Sequence, residues 1–113
     1  MANEVIENTL DVFDHHLRAF SVGLDEILKD YDDDSVILSH GVSYQGVDEI
    51  RQFFNEFLTS ASAEFWSNFT VLNKEVIGEV AYLVWKSDPY IKIATDTLII
   101  KNKIISIQTF TKY

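Results

Sequence analysis

Apolar residues recur at three- and four-residue steps over the first part of the chain and at every second position over the last part. Val5, Thr9, Val12, Phe13, His16 and Phe20 keep helical spacing, and Ile6, Leu10 and Leu17 widen that stripe, so residues 3–22 are predicted to form an amphipathic helix. Gly23 ends it in the manner of a C-terminal cap. Leu24, Ile27, Leu28 and Tyr31 share one side of a second short helix, Leu24 to Tyr31, which Asp32-Asp33-Asp34 stop. Ser35 to Ser39 reads as a strand rich in β-branched residues, and Gly41 and Gly46 bracket a hairpin through Val42-Ser43-Tyr44. A third helix runs from Val47 to Ser60 on the spacing of Val47, Ile50, Phe53, Phe54, Phe57 and Leu58. From Glu64 onward the period is two. Strands are predicted for Phe69 to Val76, Val80 to Lys86, Ile91 to Lys101 and Ile104 to Lys112, with turns at Asp88-Pro89 and Asn102-Lys103. Helices first and an antiparallel meander afterwards give an α+β domain with helices on one face of a sheet.

Composition narrows the functional classes. The 113 residues, 1–113, amount to one domain, and 47 % hydrophobic residues are enough for a packed core. The absence of cysteine removes disulfides, thiolate zinc sites and thiol nucleophiles. The N-terminal sequence has neither signal- nor transit-peptide character, and no apolar run approaches the ~20 residues of a membrane span. A cytoplasmic protein with no membrane partner is therefore expected. Of the net charge of −9, residues 1–34 carry −8, with ten acids against Arg18 and Lys29. Such a surface repels phosphates, and nucleic acid is not an expected partner.

Three stretches carry a family resemblance. They are His16-Leu17-Arg18-Ala19-Phe20 with Leu24 to Tyr31; Asp33-Asp34-Ser35-Val36 with Gly46 and Ile50-Arg51-Gln52-Phe53-Phe54; and Val80 to Trp85 with Thr95-Asp96-Thr97-Leu98, Lys103-Ile104 and Gln108-Thr109-Phe110. In this order and spacing the chain resembles the SnoaL-like and ketosteroid-isomerase-like branch of the nuclear transport factor 2 (NTF2)-like superfamily. The resemblance implies a cystatin-like cone, with N-terminal helices packed on a curved, mixed, mostly antiparallel sheet around an internal pocket. It also implies a homodimer through the sheet's outer face. Isomerases, cyclases, dehydratases and non-catalytic binding modules share this fold, so fold does not settle function.

The resemblance places Asp96 inward, at the position of an oxyanion-hole Asp of the isomerases. Strand alternation then puts Ala94 and Leu98 inward too, and the register implied by the resemblance puts Ala81, Leu83 and Trp85 inward on one neighbouring strand and Ile105, Ile107 and Thr109 on the other. Tyr82, Val84, Thr95, Thr97, Ile99, Gln108 and Phe110 are left for the outer face. His16 lies within the apolar stripe of the first helix and should point into the cone, at the position of a donating Tyr in the isomerases. His15, about 100° around the helix, should reach the edge or solvent. Ser39 stands where the isomerases carry their general-base Asp, and serine has no basicity near neutral pH. His40 is expected in an exposed loop.

His16 and Asp96 are thus the candidate catalytic pair. Phe20, Tyr31, Ser39, Trp66, Leu83, Trp85, Leu98 and Ile107 are the candidate ligand-binding residues. Each has an ordinary alternative: a core histidine bonded to a carbonyl, a carboxylate satisfied by its neighbours, an aromatic side chain that simply packs. No metal is expected, because adjacent His15 and His16 diverge on a helix and Asp32-Asp33-Asp34 lacks calcium-loop spacing. No cofactor is expected, in the absence of a phosphate-binding loop. The expected partner is a small apolar molecule with a carbonyl or hydroxyl. Acid–base conversion by an isomerase-, cyclase- or dehydratase-type enzyme and non-catalytic binding both remain open.

Overall fold

The structure is a computed structural model and describes residues 2–113. Helix α1 (Ala2–Ala19) is followed by α2 (Leu24–Leu28), strands β1 (Val36–Ser39) and β2 (Val42–Gln45), helices α3 (Gly46–Ser60) and α4 (Ala63–Asn68), and four long strands. These are β3 (Phe69–Ile77), β4 (Val80–Ser87), β5 (Ile91–Lys101) and β6 (Ile104–Lys112). One sheet runs in the order β2-β1-β6-β5-β4-β3. Among the described residues its only parallel pair is β1 with β6, so the sheet is mixed and mostly antiparallel. The architecture is α+β, helices packed on a curved sheet that does not close on itself. Among the described residues no helix is long and apolar enough to cross a membrane.

The stripe of α1 that the sheet covers is Thr9, Val12, Phe13, His16 and Ala19, at i, i+3, i+4 spacing. Val5, Ile6 and Leu10, part of the wider stripe in the sequence, are exposed. α1 lies against β3, β4 and β5, and α3 lies against α2, β1 and β2. Phe13, Ile27, Ile37, Ile50, Leu98 and Ile105 are the fully buried centre of the core. Two-residue turns join β1 to β2 at His40-Gly41 and β5 to β6 at Asn102-Lys103. All four turn residues have positive φ, the geometry whose twist suits a two-residue hairpin.

Two local expectations fail. The period-two reading from Glu64 is replaced by α4, whose Ser62 cap accepts a hydrogen bond from the Phe65 N–H at 3.0 Å. The alternation on β6 is broken by a bulge: Ile99 pairs with Ile107 but Ile100 pairs with Ile105, leaving Ser106 as the extra residue. A bulge reverses the facing of every later side chain. Gln108 and Phe110 are therefore buried inside, and Ile107 and Thr109 face out. Ile107 is removed from the candidate ligand-binding set on this ground, and Gln108 and Phe110 leave the outer face.

Gly46 sits where β2 becomes α3. Its φ is +83°, its N–H donates to the Ser35 carbonyl at 2.9 Å, and a Cβ built there would stand 3.4 Å from the Asp33 carbonyl oxygen. An L side chain in this backbone conformation is strained whatever the space around it. Gly46→Ala should lower stability by about 1–2 kcal/mol, read as a fall in the urea midpoint at unchanged slope. An unchanged midpoint would show that the turn relaxes without cost.

Candidate functional site

Between α1, α3 and the concave side of the sheet lies a cavity of about 590 Å³. Leu17 enters from the last turn of α1 and Phe20 from just beyond it, and Phe53, Phe54 and Phe57 enter from α3. Trp66 comes from α4, Phe69 and Val71 from β3, Leu83 and Trp85 from β4, and Phe110 from β6. The rings meet mostly edge to face. Phe57 stands perpendicular to both Trp85 and Phe110, which are themselves nearly parallel at 6.1 Å and 10°. Such contacts fix ring positions around the space they enclose.

Four polar side chains reach this wall: His16, Ser21, Asp96 and Gln108. Asp96 is buried and accepts two hydrogen bonds, from Trp85 Nε1 at 2.9 Å and from Gln108 Nε2 at 3.0 Å. Gln108 Oε1 in turn accepts from the Tyr31 hydroxyl. The bond from Tyr31 requires the Gln108 oxygen on its own side, which aims the Gln108 N–H at Asp96. Burial pushes the Asp96 carboxyl from 3.8 up to about 6, against the pull of the Trp85 and Gln108 hydrogen bonds. Burial also pushes the Tyr31 phenol upward, and the charges of Asp96 and Asp30 add to this.

His16 lies edge-on to Phe20 at 5.1 Å and also meets Tyr31 and Phe54. It forms no hydrogen bond among the described residues, and its Nδ1 is fully buried without a partner. Burial, helped by neighbouring His15, lowers its pKa from 6.5 to about 4, so it is a neutral imidazole at neutral pH. His16, Asp96 and Trp85 share one cavity, but it is Trp85, not His16, that bonds Asp96.

The remaining expected residues divide. Phe20, Trp66, Leu83 and Trp85 line the cavity. Tyr31 stands behind it and acts on it through Gln108. Leu98 faces inward but is fully buried in the core beneath. Ser39 is drawn into the sheet, where its Oγ donates to the Phe110 carbonyl at 2.8 Å. His40 is an exposed turn residue whose Nε2 accepts the Lys112 N–H at 3.1 Å. His15, expected at the edge or in solvent, instead bonds two carboxylates of the neighbouring segment. Glu26 Oε2 lies 2.6 Å from its Nε2 and Asp30 Oδ2 lies 2.7 Å from its Nδ1, and the Glu26 and Asp30 bonds raise its pKa. Among the described residues no group of three or more acids and histidines is placed to hold a metal ion.

Solved structures share this arrangement of helices and sheet. An NTF2-like protein of unknown function from Mesorhizobium loti superposes with a TM-score of 0.77 at 13 % identity, over 96 % of this chain and 93 % of that one. A candidate polyketide cyclase from Sinorhizobium meliloti gives 0.72 at 20 %, over 88 % and 93 %. A candidate ketosteroid isomerase from Kribbella flavida gives 0.72 at 10 %, over 96 % and 79 %. The chain has the NTF2-like fold. At these identities the likeness concerns the fold alone. No protein-family profile matches the sequence, and no curated protein matches it. Within the NTF2-like cone, the chemistry must be argued from the side chains present.

Asp96 and His16 impose opposite pH dependences on stability. The folded state raises the Asp96 pKa from 3.8 to about 6, so stability from this group is fully present below 3.8 and is lost as pH rises through 6. The His16 pKa falls from 6.5 to about 4, so its contribution is present above 6.5 and is lost as pH falls through 4. Each effect is about 3 kcal/mol, and across pH 4–6 they nearly cancel. Urea denaturation of Asp96→Asn should show stability relative to wild type growing by about that amount between pH 4 and 7. His16→Phe should show the reverse trend over the same range. Flat differences for both variants would mean that neither group titrates from a buried position.

Proposed function

We propose that the cavity binds a small, largely apolar, ring-sized molecule whose polar end meets Asp96. The observation that carries this reading is the single carboxyl at the wall of a largely apolar, aromatic-rich hollow, with each oxygen held by one neutral donor. A carboxylate oxygen has more lone pairs than one donor uses, so each retains capacity for a ligand group. Ionised, Asp96 would accept from a ligand hydroxyl; protonated, it would donate to a carbonyl. Preorganised aromatic pockets with few polar groups are the usual form of small-molecule sites. The names of two structural neighbours, a candidate polyketide cyclase and a candidate ketosteroid isomerase, bring ketone-bearing molecules into consideration.

Acid–base conversion of the bound molecule is a second reading. The carboxyl that titrates near 6 favours it, because proton transfer is most effective when the pKa lies near the working pH. Ser39 speaks against a second base at the position suggested by the resemblance, since its hydroxyl is engaged with the Phe110 carbonyl. Binding by itself is therefore the primary reading. Calorimetry with two- and three-ring phenols and ketones tests it. The expected result is saturable binding, weakened about tenfold by Asp96→Ala, with deuterium exchange at the ketone α-carbon as the separate readout of conversion. Absence of binding by every such compound overturns the reading.

We also propose that a second copy of the chain covers the outer sheet face. Tyr82, Val84, Ile99 and Ile107 supply apolar surface there, Ile93 extends it along β5 and Leu38 extends it onto β1. Two-fold pairing of such a face is the common solution for small proteins. Light scattering at micromolar concentration should give twice 13.0 kDa, and Ile107→Asp should return the mass to 13.0 kDa. A wild-type mass of 13.0 kDa overturns the proposal.

A further inference from the structure

The electrostatics of the cavity are lopsided. Asp96 is bonded only to neutral groups, the Trp85 indole and the Gln108 amide. Among the described residues no Lys or Arg lines the cavity. His16, the other ionisable group on the wall, is held neutral by burial. Once Asp96 ionises, its charge therefore has no countercharge within the site. A buried charge without a partner is costly, and the partner that would relieve it must come with the ligand.

The rest of the wall favours the same ligand charge. Aromatic rings carry negative potential on their faces and attract cations placed over them. Phe20, Phe57, Trp66, Trp85 and Phe110 surround the hollow, and the perpendicular setting of Phe57 against Trp85 and Phe110 turns rings in different directions around it. The net charge of −9 adds a long-range attraction for cations and a repulsion for anions. Carboxylate, aromatic wall and absence of fixed cations are three separate features with one consequence.

We propose that the cavity takes a protonated aryl-alkyl amine, its ammonium against Asp96 and its rings among the aromatic side chains, in preference to neutral or anionic molecules of the same skeleton. This rests on the reading of the cavity as a ligand site and goes beyond it by naming the class bound most tightly. An ammonium supplies the missing countercharge as well as a hydrogen bond, whereas a hydroxyl donates to the carboxylate but leaves its charge uncompensated. A carboxylate on the same skeleton would set two like charges together.

The test is a matched set at pH 8, where Asp96 is ionised: 2-(aminomethyl)naphthalene, 2-naphthalenemethanol and 2-naphthoate, each titrated calorimetrically into the wild-type protein. The amine is expected to bind about tenfold or more tightly than the alcohol, with the carboxylate weakest. The Trp85 indole N–H resonance should move on adding the amine, which places it in the cavity. Asp96→Asn should bring the amine to within about twofold of the alcohol. An alcohol that binds as tightly as the amine overturns the preference and leaves the cavity standing as a ligand site. A preference undiminished in Asp96→Asn, or an unmoved Trp85 signal, also overturns it. If none of the three binds, the amine preference falls, while the ligand-site reading stands or falls on the phenols and ketones.

Discussion

The bulge at Ser106 decides which side chains of β6 face the cone, and the polar end of the cavity depends on that choice. Ile100 pairs with Ile105 and Ile99 with Ile107, so one extra residue is absorbed on β6. Beyond it Gln108 and Phe110 turn inward. Gln108 then lies opposite Leu98 in register and within reach of Asp96 on β5, while Tyr31, beyond the end of α2, meets its other side. Without the reversal Ile107 and Thr109 would occupy the wall, and Asp96 would keep only the Trp85 donor. A carboxyl with one donor in an apolar hollow would ionise less readily. Backbone register thus sets the acidity of a side chain on the neighbouring strand.

The hollow itself is an exception to close packing, which ordinarily leaves few voids larger than a water molecule. Its aromatic wall is braced from outside. Ser87 Oγ donates to the Phe65 carbonyl at 2.6 Å, tying α4 to β4, and Thr9 Oγ1 donates to the Gly78 carbonyl at 2.8 Å, tying α1 to the β3–β4 turn. His15 ties α1 to the α2 segment through Glu26 and Asp30. Burial lifts the Asp30 pKa, and the bond from His15 pulls it partly back. These contacts lie outside the cavity and hold its rim without filling it.

Much of this was readable in the sequence, and the parts that were not share a physical cause. The stripe from Thr9 to His16 was legible because one uninterrupted helix repeats its period several times. Asp96 and Leu98 were placed on one face correctly because β5 alternates without interruption from Ala94 to Ile100. Gln108 was misplaced because a bulge changes the phase of a strand without changing its composition. Helix α4 was missed because six residues give too few turns for a period to emerge, although Ser62 before an acid at Glu64 is a start signal. The His15 clasp was illegible because its partners lie 11 and 15 residues away on a segment whose docking angle the sequence does not state.

Ser39 illustrates how the same strand position serves a different end. A hydroxyl at this place bonds the Phe110 carbonyl across the parallel pairing of β1 with β6. Parallel pairing is slightly the weaker kind per residue, and an added side-chain bond at the end of a four-residue strand supports it. Phe110, whose carbonyl receives that bond, also presents its ring to the cavity beside Trp85. A carboxylate at residue 39 would place an acceptor against that carbonyl and repel it, so the present arrangement of the wall and an acid at this position are in conflict. The polar work of the cavity is accordingly concentrated on Asp96, and the β1–β6 pairing gains the order that positions the Phe110 ring.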